Sequence, residues 1–266
     1  MKMKLIMESW RRHLEEITVL PGPSYEKINA ALLASKFWEY GNEYEDVKDE
    51  ESATPTTPAT DILEKTLNKV FKELGLHDVG AIVHTFADYL DEEDPNSPWK
   101  SMQFDVLDNN NIKIMVLMEL GQPDEHAGFD ASKLVQILSA AVRHELVHAE
   151  QLRKQAENKG ITLWTAFKEM LDDPKQVSDR AKFDNFKDYM QNYLSRHIEV
   201  DAHAHQAAEN LVDTYGKEKA LEVIGRDFDL DDPALPADVK KYKNFDVWPK
   251  AMKRFRSKMY SYIQRL

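Results

Sequence analysis

The chain is 266 residues long, has no cysteine, and sets 35 Lys and Arg against 47 Asp and Glu for a formal charge of -12. A chain of this length buries a substantial core, and the missing cysteines exclude disulfides and thiolate metal sites and make the reducing cytoplasm its natural home. The acidic balance argues against general nucleic-acid binding, and no apolar run approaches the length of a membrane span.

Residues 1–16 are too charged, around too short an apolar centre, for a secretory signal, and read as a short amphipathic helix. This segment resembles the N-termini of many proteins of large tailed bacteriophages, some of which are packaged into the prohead and trimmed after an Ile/Leu-x-Glu site. Ile6-Met7-Glu8 and Leu14-Glu15-Glu16 fit that site. The resemblance implies a protein of the bacterial host cytoplasm or the virion, with capsid or prohead proteins as partners; a terminal helix docked through Trp10 is the alternative.

Ile28, Leu32, Leu33, Phe37 and Trp38 predict a helix from Ser24 to Tyr40. The acidic, Pro- and Thr-rich stretch 42–60 cannot bury enough apolar surface to order itself and reads as a loop or linker. Segment 1–41 thus stands apart from a main domain, 61–266. Thr60 or Asp61 caps a helix carrying Leu63, Leu67, Val70, Phe71 and Leu74 and ended by Gly75.

Strands are expected at Gly80–Tyr89, Met102–Leu107 and Ile112–Leu120. The turn cluster Asp108-Asn109-Asn110-Asn111 makes the last two a hairpin. His84 and His126 read as ordinary strand and loop residues, since spacing gives neither a partner.

The next helix, from an Asp130 N-cap to a Gly160 stop, contains His144-Glu145-Leu146-Val147-His148. Residues four apart stand one turn above each other, so His144 and His148 present two imidazoles on one face, able to grip one metal ion. Glu145 lies beside that face, within reach of a water at an open coordination position. Two imidazoles and a third ligand describe a zinc hydrolase, with Glu145 as the general base. The alternative is a chance match that leaves a core or solvated histidine pair.

Helices follow at Thr162–Leu171 and Val177–Ser195, and a third carries His197-Ile198-Glu199-Val200-Asp201-Ala202-His203-Ala204-His205. Here the chain resembles the gluzincin-type zinc metallopeptidases, whose first helix carries H-E-x-x-H and whose later helix supplies a glutamate, often followed by an acidic and a small residue. Glu199-Val200-Asp201-Ala202 fits. The resemblance implies His144, His148 and Glu199 as ligands to one zinc ion per chain and Glu145 as base. It also implies a small sheet before the metal helix, whose exposed edge binds an extended peptide.

Two positions depart from the family. Glu150 stands where an apolar residue is usual, and His203 where an acid or amide is common. His203, one turn after Glu199, is a group behind the ligands, an oxyanion donor or an alternative ligand. Tyr193 either reaches the open position to stabilise an oxyanion, as a tyrosine does in some gluzincins, or packs in the core. His205 reads as a paired, partly exposed histidine, and Arg196 and His197 as surface residues at the helix start.

Lys217–Gly225 is a further helix, and the acidic, proline-bearing turn at 227–236 lacks calcium-loop spacing. The C-terminal piece changes sign: Lys240, Lys241, Lys243, Lys250, Lys253, Arg254, Arg256, Lys258 and Arg265 accompany an apolar stripe of Trp248, Met252, Phe255, Met259, Tyr260 and Ile263. That stripe packs on its own domain or meets an acidic partner. The expectation is an α+β, mostly helical zincin-like domain with a small sheet preceding the H-E-x-x-H helix, acting as a zinc-dependent endopeptidase on a peptide or protein substrate. The alternatives are a non-catalytic, zinc-stabilised virion or interaction component on the same scaffold, and a metal-free interaction module.

Overall fold

The structure, a computed structural model, describes residues 23–40, 58–85, 99–106, 111–118, 131–172, 183–225 and 235–266. The N-terminal cleavage tripeptides, Asp130, His126 and most of the 42–60 stretch lie outside these residues. Among the described residues the chain is mostly helical with one three-stranded sheet, an α+β architecture. It forms two compact units, Gly22–Ala149 and Glu150–Leu266, and the boundary falls inside one continuous helix.

In the first unit, helix α1 (Pro23–Ser35) leads through a 3-10 turn (Phe37–Tyr40), and α2 spans Pro58–Glu73. The start of α2 differs from the expected Thr60 or Asp61 because Pro58, with its fixed φ and no N–H to satisfy, suits a first turn. Leu63, Leu67, Val70 and Phe71 are buried along one stripe. Gly75 closes the helix at φ +78, its N–H on Lys72 O at 3.0 Å and the Leu76 N–H on Phe71 O at 2.8 Å. A side chain at this left-handed position would be strained, so glycine sets the stop.

The sheet holds β1 (Val79–Thr85), β2 (Trp99–Val106) and β3 (Ile112–Met118) in the order β1-β3-β2. The expected hairpin is present: β2 and β3 pair antiparallel, Phe104 opposite Ile114. β1 joins β3 in parallel, Ala81 opposite Ile114. Burial alternates as a half-covered sheet requires: Ala81, Val83, Ile112, Ile114 and Val116 are buried, while Ile82, Lys113 and Met115 are partly exposed.

The outer edge of β1 is covered by α2. Asn68 accepts the Ala81 N–H at 3.0 Å and donates to the Ala81 carbonyl at 3.2 Å, and Glu64 accepts the Val83 N–H at 3.2 Å. Two side chains thus supply what a fourth strand would, so the β1 edge is not the open edge that strand addition needs.

Helix α3 (Ala131–Lys159) is 29 residues long, a rod of about 43 Å. It ends in a second left-handed glycine, Gly160 at φ +64, with the Ile161 N–H on Ala156 O at 3.0 Å.

The second unit contains α4 (Leu163–Asp172), α5 (Phe186–Leu194), α6 (His197–Tyr215), α7 (Lys217–Gly225), α8 (Ala237–Asn244) and α9 (Pro249–Arg265). The helix expected over Val177–Ser195 is shorter. Among the described residues it begins at Phe186, because the Asn185 side chain accepts the Asp188 N–H at 2.9 Å and caps the first turn there. Helix α6 organises this unit. Ala204, Ala207, Ala208 and Leu211 join Val239 and Tyr242 of α8 and Phe255, Met259 and Ile263 of α9 in one core, the alanines allowing neighbouring helices to come close. The basic C-terminal piece is therefore two helices, divided after Asn244 with Asp246 at φ +48 and Pro249 opening the second. Of its apolar stripe, Phe255, Met259 and Ile263 are buried in the core of its own unit with Met252 packed against it, whereas Trp248 and Tyr260 are exposed.

Candidate metal centre

Every residue of α3 from Val142 to Ala149 is buried. The apolar members fill the core, and the helical repeat carries His144, Glu145 and His148 into the interior with them. The Nε2 atoms of His144 and His148 are 3.1 Å apart, their rings edge to face with centroids separated by 4.7 Å. Helical geometry sets Glu145 about 100° around the axis from His144 and about 60° from His148. Its side chain is buried too, at 8 % exposure.

Glu199, in the first turn of α6, is the third member. The donor atoms of His144, His148 and Glu199 all lie within 4.8 Å of one another, and among the described residues they form the one group of His, Asp or Glu able to hold a metal ion. Two imidazoles and one carboxylate make a nitrogen- and oxygen-donor set that suits a borderline divalent metal. The start of α6 is fastened from α3 within the second unit: Gln151 donates to the Ile198 carbonyl at 3.3 Å.

Arg196, expected at the surface, is 8 % exposed. It is the N-cap residue of α6, with an extended backbone, φ -71 and ψ 146. Its guanidinium sits 5.6 Å from the Tyr193 ring centre and donates to Asn192 Oδ1 at 3.4 Å. Burial draws its pKa below the ordinary arginine value while the Glu199 charge pulls it back up. A buried cation thus stands in the electrostatic field of the third donor.

His203 is buried and is not in the donor group. Its Nδ1 lies 2.7 Å from Asp238 Oδ1, and its Nε2 faces Glu199 Oε2 at 4.0 Å. The rings of Tyr242 and Tyr193 stand edge to face against it at 5.8 and 6.4 Å. Tyr193 also stacks on Tyr189 at 6.3 Å, so it is bound into the aromatic packing of α5. Tyr242 is fully buried, its ring stacked 4.0 Å from Phe255. Its hydroxyl has no hydrogen-bond partner among the described residues. Burial raises the Tyr242 pKa well above the ordinary tyrosine value, and Glu199, Asp238 and Asp201 push it the same way. Asp238 and Tyr242 were not singled out from the sequence: they lie in a segment whose acidic and then basic composition describes a surface.

The opposite face of α6 carries a separate polar row. Asp201 meets Lys258 Nζ at 3.2 Å and Arg254 Nε at 3.6 Å, while Arg254 reaches His197 Nδ1 at 2.7 Å. His197 is exposed, as expected. His205, expected to be partly exposed, is 1 % exposed. It lies 3.6 Å from Glu209 and packs edge to face on Tyr262 at 4.7 Å. The C-terminal helix covers it, a consequence that the local sequence does not encode. Glu150, the unusual acid after the motif, pairs with Arg153 at 3.2 Å, both partly buried.

Compared with protein families, with curated proteins and with solved structures, the chain matches none. Among the described residues no helix is long and apolar enough to cross a membrane.

Proposed function

We propose that this protein is a zinc-dependent peptidase of the zincin kind. The observation that carries the reading is the convergence of Glu199 with His144 and His148, donor atoms within 4.8 Å of one another. The spacing of the imidazole pair agrees with it. Two nitrogens bound to one zinc at about 2.0–2.1 Å in tetrahedral geometry stand about 3.3 Å apart, close to the 3.1 Å found. Three protein ligands leave a fourth position for a reacting group.

Bound there, zinc supplies Lewis-acid polarisation of a carbonyl and lowers the pKa of water to about 7. His144, His148 and Glu199 hold the ion, one carboxylate and two neutral rings leaving it a net positive charge. Glu145 would be the group that accepts a proton from water and returns it to the departing amine. Zinc analysis of the purified protein, with hydrolysis of a mixed peptide library by the native chain and by Glu145→Gln, tests this. Stoichiometric zinc with hydrolysis lost in Glu145→Gln is expected; zinc with no cleavage of any peptide overturns the peptidase.

A second reading has its own observation. His144, Glu145, His148 and Glu199 are each no more than 8 % exposed, as closed structural sites are. Zinc then serves stability in a non-catalytic component. That reading predicts a large fall in melting temperature on chelation and no peptide cleavage.

A further inference from the structure

His203 is held from three sides. Asp238 of α8 takes its Nδ1 at 2.7 Å, Tyr242 of α8 meets its ring at 5.8 Å, and Tyr193 of α5 at 6.4 Å. Both His203 and Asp238 are buried, at 5 and 6 % exposure. Nδ1 is committed to Asp238, and the other ring nitrogen, Nε2, faces Glu199 Oε2 at 4.0 Å.

We propose that Asp238 is a positioning residue for the metal centre: by accepting the Nδ1–H of His203 it fixes the ring against Glu199, and the two together limit where the Glu199 carboxylate turns. This rests on the reading of Glu199 as the third metal donor. At 4.0 Å the His203–Glu199 contact is longer than a hydrogen bond, so the ring acts as a steric and electrostatic stop on the carboxylate. Side chains behind the ligands orient them, and their removal costs metal affinity. A pair that served only to tie α8 to α6 would be indifferent to the second ring nitrogen. Here that nitrogen faces a carboxylate oxygen of Glu199, a member of the donor group, one helical turn away on the same face of α6.

The inference also accounts for the departure at position 203. Histidine is long enough to bridge from α6 to a carboxylate on α8 while presenting its far edge to Glu199. A shorter acid or amide at this place could face Glu199 or Asp238, but would not span the two.

The test is competitive zinc titration of the full chain against a chromophoric chelator, with melting of each apo form measured alongside. Asp238→Ala and His203→Ala are each expected to weaken zinc binding by about 10–100-fold. The double variant should lose no more than the worse single one, because one device is removed twice. Asp238→Asn keeps an acceptor oxygen and should recover most of the affinity. Unchanged zinc affinity in Asp238→Ala, with only a lower apo melting temperature, overturns the inference and leaves a helix tie. If Asp238→Ala does not fold, His203→Ala and Asp238→Asn decide by the same criterion.

Glu199→Ala separates the two levels of the reading. Zinc binding by the native chain that Glu199→Ala weakens and Asp238→Ala does not sinks the positioning role alone. No zinc binding by the native chain, or binding indifferent to Glu199→Ala, sinks the metal centre and this role with it.

Discussion

His144 and His148 bring their Nε2 atoms to 3.1 Å inside a buried stretch of α3. Two nitrogens that close can share a proton or an ion, and the proposed metal centre takes the second, with Glu199 as counter-charge. Zinc at 100 times its Kd is therefore expected to raise the unfolding free energy by about 2.7 kcal/mol, read as a higher melting temperature, and His148→Ala should abolish that rise. An equal rise in His148→Ala would move the metal elsewhere.

Glu145 is one residue along from His144 but is not in the donor group. Glu145→Gln keeps shape and removes the base. It should retain zinc and lower kcat by about 10²- to 10⁴-fold, measured on any peptide that the native protein cleaves. Unchanged kcat would take the general-base role from Glu145.

Asn68 carries the junction between α2 and the sheet, through two hydrogen bonds to the backbone of Ala81. Asn68→Ala leaves those groups on the β1 edge to find other partners, at a cost of about 1–3 kcal/mol. Urea denaturation checks this. A smaller change would mean that water replaces the side chain at little cost.

Lys187 and Asp246 tie α5 to the turn between α8 and α9, at 2.5 Å. The hydrogen bond and charge of Lys187 depress the Asp246 pKa, and Asp246 raises that of Lys187 in the same order of causes. A depressed carboxylate stabilises above its unfolded pKa of about 3.9 and loses that contribution as pH falls through the folded value. A raised lysine stabilises below its unfolded pKa of about 10.4 and loses it as pH rises through the folded value. The stability difference between the native chain and Asp246→Asn should then be small, since both groups are exposed. It should be level between about pH 5 and 9 and shrink at either extreme. Urea midpoints across pH measure it; a difference that grows in acid would contradict the pairing.

What could be read from the sequence was what local spacing encodes. His144 and His148 are four apart, and helix geometry turns that into one face. Alternating Ile112, Ile114 and Val116 mark a half-buried strand, and the Asn-rich turn before them predicts the hairpin. Glu199 was reached through a resemblance, and it is the third member of the group that could hold a metal ion. The parallel joining of β1 to β3 was not legible, because alternation fixes which face is buried and not which neighbour is paired. Nor was the covering of the β1 edge, which depends on Glu64 and Asn68, two polar residues of an ordinary amphipathic helix. His205 was read as paired and partly exposed and Arg196 as a surface residue, because polar residues are usually in contact with water. Tyr262 of the distant C-terminal helix covers the first, and the second is buried at the start of α6. Asp238 faces His203 across 35 residues of chain, a relation that no local pattern announces.

Zinc content per chain, measured by mass spectrometry on protein purified without chelator beside Glu199→Ala, tests the central claim most directly. One zinc per native chain, falling sharply in Glu199→Ala, is the predicted result. No zinc in the native protein even after it is added back, or zinc unchanged in Glu199→Ala, would contradict the centre built by His144, His148 and Glu199.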